Sequence, residues 1–386
     1  TGPAVPKPGN PNIVYSNCKG RFGVYNKITG QEKQYYVGAS NMYGHNPEDL
    51  KYRFQRVSPI HISPHNPDVI YHASQFLHVT NDDGVTWETI SPDLTAFESD
   101  KQVISGSPIT RDITGEEFYS TIYSVRESPL KKGLIWIGAN DGPVHVTTDA
   151  GKNWKDVTPN KNIKGGRVDS VEPSSHNPSK AFVTILRYQL GDWRPYIYRS
   201  YDNGNSWDLI TEGIPADYPV RVLREDPKRE GLLFAGTEFG MFISFDDGNS
   251  WHSFQQNLPV TPITDIKIHR NDIVLSTMGR SFWIMDNIDY LRNFSFNDNE
   301  ILYPITNTIR YRNRPSNSNH VSYPRTYVDI DYKITKESVG DILIMIMDNE
   351  NNLINSYKSI DKNQNIENYE MSTNEFTFIS NNNISN

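Results

Sequence analysis

The sequence predicts an all-β fold: a β-propeller of four-stranded antiparallel blades with tight Asp-bearing hairpins, followed by a small, incomplete β-sandwich. Three observations predict it. A turn motif of the form S/T-x-D-x-G-x-x-W occurs four times, at residues 80–87, 147–154, 200–207 and 244–251. A Pro-bearing turn and an apolar run precede each copy, so the repeat is a whole supersecondary unit. The composition favours strands joined by many turns: 12% of residues are aromatic, and there are 24 Pro and 25 Gly.

Length and charge bound the rest. The chain has 386 residues, room for one large repeat array with a small companion. Its formal net charge of -8 argues against an electrostatic nucleic-acid footprint. No apolar stretch approaches the length of a membrane span. Cys18 is the single cysteine, which excludes an intrachain disulfide framework and a cysteine-based zinc cluster. The histidines His61, His65, His72 and His78 fall on separate turns and strands rather than at zinc spacing, so neither metal nor cofactor is expected.

The repeated motif has a mechanical reading. Asp82, Asp149, Asp202 and Asp246 can each accept backbone N–H bonds across a tight turn. Gly84, Gly151, Gly204 and Gly248, two residues on, supply positive φ at no steric cost. Trp87, Trp154, Trp207 and Trp251 then open the returning strand and offer a large ring to a neighbouring unit. These residues read as hairpin staples that do no chemistry.

The units follow in order. Residues 1–11 read as a Pro-rich linker, of the kind expected in the middle of a longer protein. A first unit without a staple runs through residues 12–15, 21–25 and 33–36. Four stapled units follow, with Pro turns at residues 63–67, 128–129, 175–178 and 226–227. A last unit lacking the staple runs through residues 272–275 and 281–285. Six blades are thus expected within about residues 1–295, where further blades at the N-terminal side remain open. The pattern breaks after Tyr290. Residues 310–319 read as an Arg/Asn/Ser linker, and Val328, Ile330, Tyr332 and Ile334 alternate as in a half-buried strand. Residues 342–347 form a more continuous apolar strand before a turn at 348–352. Residues 296–386 are therefore read as the sandwich-like module, with an Asn-rich end at 381–386.

The repeated turn, with its SPHNP-type companion, resembles the BNR/Asp-box propellers of sialidases, of xyloglucan-active hydrolases and of the sortilin (VPS10) luminal domain. It is most similar to a bacterial group labelled sortilin-like or "glycosyl hydrolase, BNR repeat". Residues 58–60, 90–95, 106–109, 187–189, 260–263 and 279–283 carry the likeness, which covers roughly residues 10–350. The resemblance implies a periplasmic or secreted protein, and a sandwich module after the propeller.

In a propeller, ligands meet the face where loops of several blades converge, away from the staples. Arg56 lies nine residues before His65, and Arg167 nine before His176, so the two arginines are expected at equivalent places in two blades. Arg280 lies in a loop of the last blade. Convergent arginines could clamp a carboxylate as sialidases do, or could simply bridge blades. The insertion at residues 187–196 is the best ligand-facing cluster: Tyr188 and Trp193 can stack on a sugar or pack a peptide, and Asp192 and Arg194 can bond hydroxyls or termini. The plain alternative is an inter-blade packing loop. Residues 41–47 form a second such loop.

Glycoside hydrolysis needs two carboxylates across a cleft. Candidates outside the staples are Asp112, Glu116, Glu117, Asp141, Asp169, Glu172, Asp192, Glu225, Asp226 and Glu238. Two functions are carried forward. The first is binding of a peptide or glycan through the loop face. The second is glycoside hydrolysis by a carboxylate pair on that face.

Overall fold

The computed structural model describes residues 2–38, 42–104, 106, 111, 114, 118–160, 164–297, 301–305, 328–334 and 342–358. The linker at 310–319, Asp112, Glu116, Glu117 and the end at 381–386 lie outside them, as does part of 106–109. The chain divides into two units, Thr1–Ile268 with Val274–Ile284, and His269–Ile273 with Met285–Asn386.

The chain carries a six-bladed β-propeller. Its first sheet is β1 (Ala4–Lys7), β2 (Asn10–Cys18), β3 (Arg21–Asn26) and β4 (Gln31–Tyr36). The second is β5 (Ile60–Ile62), β6 (Ile70–Ala73), β7 (Leu77–Thr80) and β8 (Glu88–Thr89). The third is β9 (Ile122–Glu127), β10 (Ile135–Ala139), β11 (Val144–Thr147) and β12 (Lys155–Asp156). The fourth is β13 (Arg167–Pro173), β14 (Ala181–Leu186), β15 (Ile197–Ser200) and β16 (Asp208–Leu209). The fifth is β17 (Val220–Glu225), β18 (Leu233–Thr237), β19 (Met241–Ser244) and β20 (His252–Ser253). The sixth has three strands, β21 (Ile263–His269), β22 (Asp272–Thr277) and β23 (Phe282–Met285). Strand order in every sheet is sequential, and neighbouring strands pair antiparallel.

One expectation is corrected. Residues 1–11 are not a linker: β1 lies within them and pairs with β2, with Pro6 opposite Val14. Proline is tolerated there because β1 is an edge strand, where a missing N–H costs no ladder bond.

The core lies between successive sheets. Tyr15 and Phe22 pack on Ile60, Ile62 and Ile70 between the first two sheets. Trp136 and Val146 pack on Val171 and Val183 between the third and fourth. Phe182 and Ile197 pack on Leu223 and Leu233 between the fourth and fifth. A middle strand therefore buries both faces, so every residue of β10, β14 and β18 is buried. This is why residues 134–137 and 232–235 read as continuous apolar runs rather than alternating ones. Each such side chain contributes about 1.5–3 kcal/mol of transfer free energy.

The four turns close as the motif requires. In the first, Thr86 N donates to Asp82 Oδ1 at 2.9 Å, Thr86 Oγ1 to Asp82 Oδ2 at 2.7 Å, and Gly84 N to Thr80 Oγ1 at 3.0 Å. The same set recurs around Asp149, Asp202 and Asp246. The residue between Asp and Gly also takes positive φ, at Asp83, Ala150, Asn203 and Asp247. Trp154, Trp207 and Trp251 then donate their indole N–H to Ile90, Val157 and Ile210 carbonyls, each on the preceding unit. The staple thus closes its own hairpin and fastens it to its neighbour.

The second unit contains a short helix α1 (Asp289–Asn293) and two small sandwich-like sheets. One pairs β24 (Ile301–Leu302) with β25 (Tyr332–Lys333), the other β26 (Leu343–Met347) with β27 (Leu353–Lys358). Asp348 closes the second hairpin by accepting the N–H groups of Glu350 and Asn352, both at 2.9 Å. Among the described residues no helix is long and apolar enough to cross a membrane.

Candidate functional site

Antiparallel order puts the Asp turns and the Pro turns at one end of each sheet. The connections between second and third strands, and those entering the first strands, share the other end. At this second end the first strands of the third, fourth and fifth sheets each contain one residue left out of the ladder. They are Tyr123, Asp169 and Arg221. An extra residue bends its strand and re-aims its side chain, and such bulges gather beside functional sites. Two of the ladder partners are glycines, Gly138 and Gly236. A Cβ on Gly138 would lie 2.2 Å from Val168 Cγ1, and one on Gly236 2.8 Å from Ile263 Cβ. The missing side chains let the next sheet's first strand approach closely.

The bulged residues are tied together. Arg167 opens β13 and grips Asp169 with two N–H groups, one of them 2.9 Å from Oδ2. Its guanidinium lies 4.5 Å from the centre of the Tyr123 ring. Burial would push Arg167 down, but the bond to Asp169 holds it well above the ordinary arginine value. Arg221 NH1 stands 3.8 Å from the same Asp169 Oδ2. Arg221 Nε stands 2.6 Å from Glu238 Oε1, as an ion pair whose N–H points off the oxygen. The guanidinium also lies 5.9 Å from the Tyr188 ring centre. Two carboxylates from different sheets therefore flank one buried guanidinium beneath an aromatic ring.

The insertion at 187–196 supplies that ring. Asp192 is its organiser rather than its tip. It accepts from Arg187 Nε at 3.2 Å, from Arg194 Nε and NH2 at 2.9 Å each, and from Tyr196 Oη at 2.7 Å. The Arg194 bond, opposed by burial, holds the Asp192 carboxyl well below the usual carboxylate range. Arg187 also donates to the Lys164 carbonyl at 2.8 Å, and Gly191 provides the left-handed turn at φ 77°. With its base held, the loop presents Tyr188 and Trp193, ring centres 5.7 Å apart, and Trp193 remains 47% exposed. A sugar ring could stack there and reach the Arg221 group with its hydroxyls.

Of the residues expected from sequence, Arg167, Tyr188, Asp192, Trp193 and Arg194 fall in or beside this group. Arg56 is exposed in the connection before β5, where its carbonyl accepts from Asn17. Arg280 is exposed between β22 and β23, where its carbonyl accepts from Trp283. Neither is among the contacts that hold the Arg167 group together. Asp141 is buried and accepts from the N–H groups of Ala96 and Phe97; burial raises its carboxyl. Glu225 pairs with Lys180, and Glu172 with Arg224. Tyr123 and Arg221 are the members that sequence reasoning missed. The only signal for them is an offset: Tyr123 lies five residues before Ser128, Asp169 five before Ser174 at the edge of the third Pro turn, and Arg221 five before Asp226.

A separate groove lies elsewhere. It has a volume of about 600 Å³ and runs past Asp156, Thr158, Tyr198 and Trp207, where the third sheet's short last strand meets the fourth sheet's Asp turn. Its charged lining residues, Lys155 and Asp156, are exposed neighbours on one short strand, whereas the Arg221 cluster gathers buried charges from two sheets and is the stronger candidate. Among the described residues no group of three His, Cys, Asp or Glu side chains could hold a metal ion.

No family model matches the chain. A probable oligoxyloglucan-reducing end-specific xyloglucanase of Neosartorya fischeri is 29% identical over 111 residues, which is 28% of this chain and 13% of that protein. Among solved structures, the GH74 xyloglucanase of Xanthomonas campestris is 13% identical with a TM-score of 0.53, and covers 85% of this chain and 50% of its own. The GH74 enzyme of Niastella koreensis is 13% identical with a TM-score of 0.51, over 86% of this chain and 51% of its own. The chain spans about half the length of these solved enzymes and far less of the curated relative. At this identity the likeness shows the fold: the chain is built as a β-propeller like those of the GH74 enzymes.

Proposed function

We propose that the chain recognises a glycan at the loop end of its third to fifth sheets. Tyr188 and Trp193 serve as the stacking platform, and Asp169, Arg221 and Glu238 bond the sugar hydroxyls. The observation that carries the reading is the exposed Trp193 beside a half-buried Tyr188, whose ring lies over the Arg221 guanidinium. The likeness to xyloglucan-active proteins supports a β-glucan or xyloglucan as ligand, and a periplasmic or extracellular setting is part of the same reading.

A second reading, hydrolysis, is favoured by one specific feature: Asp169 and Glu238 approach the same guanidinium from two sheets. Two carboxylates about one cleft are what glycoside hydrolysis requires, one as acid and one as base or nucleophile.

Titration of the protein with xyloglucan oligosaccharides, followed by Trp fluorescence and by release of reducing ends, tests both. Saturable binding that weakens at least about tenfold in Trp193→Ala supports recognition. Turnover that vanishes in Glu238→Gln while binding persists supports hydrolysis. Neither binding nor turnover, with an intact fold, removes the glycan reading and returns the face to a peptide ligand.

A further inference from the structure

At one ladder position the first strands of four successive sheets correspond. His61 stands opposite Tyr71, Arg126 opposite Trp136, Glu172 opposite Phe182 and Arg224 opposite Phe234. In each case the partner is an aromatic residue ten positions further along the chain. Consecutive first strands touch one another, β5 with β9, β9 with β13 and β13 with β17. These side chains therefore stand on neighbouring first strands, and Arg224, bonded to the Ile266 carbonyl and to Asp265, ties β21 to the same set.

Half of the set is satisfied. Arg224 donates from Nε to the Ile266 carbonyl at 3.1 Å, from NH1 to Ser170 Oγ at 2.7 Å, and from NH2 to Asp265 at 2.7 Å. Glu172 stands 3.4 Å from the same guanidinium. The side chains of the other half have no protein hydrogen-bond or ion-pair partner among the described residues. Arg126 feels Arg224, Glu172 and Asp265, yet among the described residues it has no hydrogen bond or ion pair. The same holds for Lys267, which feels Arg126, Arg224, Asp265 and Glu172. His61 Nε2 is buried without a partner, and its ring feels Arg126 and Lys267. Three cations thus meet two carboxylates, and both carboxylates stand on Arg224. Repulsion from Arg126, then burial, then Arg224 bring the Lys267 ammonium down to about 8.

We propose that Arg126, Lys267 and His61 form a binding site for a small oxyanion, a carboxylate or phosphate group. The guanidinium offers a planar fork that matches two oxygens of such a group, and the ammonium offers a compact second charge. The imidazole stays neutral, since burial and the two cations hold it far below its ordinary value. As the tautomer protonated on Nε2 it is a third donor. A bound oxyanion supplies the acceptors that these groups lack and turns their mutual repulsion into shared attraction. The site does not depend on the glycan reading of the loop end.

Calorimetric titration with sodium phosphate, and separately with sodium acetate, at pH 7 and fixed ionic strength tests the assignment. At least one should bind saturably, and the tighter of the two identifies the chemistry. Arg126→Gln and Lys267→Gln should each weaken binding about tenfold or more. Lys267 is crowded by protein around its charge yet keeps its side chain open to solvent, so its variant reports even if Arg126→Gln does not fold. Wild-type affinity should fall as pH rises from 7 to 9, because Lys267 loses its proton there, and Lys267→Gln should lose that dependence. Absence of saturable binding by both anions, or equal affinity in the variants, overturns the proposal.

Discussion

Lys180 Nζ lies 2.8 Å from Glu225 Oε1 and 2.8 Å from Asp247 Oδ1, and both the Lys180 and the Glu225 side chains are 1% exposed. The ammonium joins three elements: the Pro turn before β14, the end of β17 and the fourth Asp turn. Burial alone would lower its proton affinity, but the bonds to Asp247 and Glu225 raise it above the ordinary lysine value.

Lys180→Met should therefore be destabilising despite its similar volume. It leaves Glu225 buried without its cation, and removing one partner of a buried pair costs about 3–5 kcal/mol. Urea unfolding measures this as a lower midpoint with an unchanged slope. An unchanged midpoint would show that water reaches Glu225 and that the pair is not fastening the sheets.

The Trp residues of the Asp turns should differ in weight. Trp251 is buried and donates to the Ile210 carbonyl of the preceding unit at 2.9 Å, whereas Trp87 donates to Gly84 within its own turn. Trp251→Phe should cost about 2–4 kcal/mol, from lost volume and a carbonyl deprived of its donor. Trp87→Phe should cost about 1 kcal/mol. Thermal unfolding of the two variants ranks them, and a larger loss for Trp87→Phe would refute the fastening role.

How much of this was readable without coordinates follows from the range of each interaction. The Asp turns are local: Asp82 bonds residues within four positions of itself, so sequence alone exposes them. The Pro turns are equally local, and their histidines belong to the same pattern. His65 Nε2 contacts the Ser128 carbonyl and His176 Nε2 the Asp226 carbonyl, both at 2.8 Å, each one sheet on. The loop-end group is different. Tyr123, Asp169 and Arg221 converge because each strand holds one surplus residue, and a bulge changes no residue type that a pattern could register. Lys180 is invisible for a related reason: its partners lie 45 and 67 positions away in sequence. The strand Ala4–Lys7 was hidden because prolines mimic a linker when the strand is an edge.

The Asp turns also set an acid limit. The bonds from Thr86 and Thr80 hold Asp82 at about 2, and those from Asn153 and Thr147 do the same for Asp149, against an ordinary 3.8. A carboxyl lowered by folding stabilises the native state above its unfolded value, and that contribution is lost as pH falls from about 4 toward about 2. Asp149→Asn keeps an acceptor but no titrating group. Its melting temperature should therefore fall less steeply than wild type between pH 5 and 2. Parallel curves would mean that the turn does not couple to global unfolding.

Asp192 offers a test confined to the aromatic loop. Its two oxygens gather Arg187, Arg194 and Tyr196, while the loop's outer residues Leu190 and Trp193 stand in solvent. The core beneath, Ile185 with Val168, does not involve the carboxylate. Asp192→Ala should therefore release the loop without unfolding the sheet. Hydrogen exchange should quicken at residues 188–194, while β14 and β15 keep their protection and the melting temperature moves by only a few degrees. Because Tyr188 and Trp193 would lose their fixed spacing, any glycan affinity should drop although neither ring has been altered. Preserved affinity with a loosened loop would show that the platform forms on the ligand rather than ahead of it.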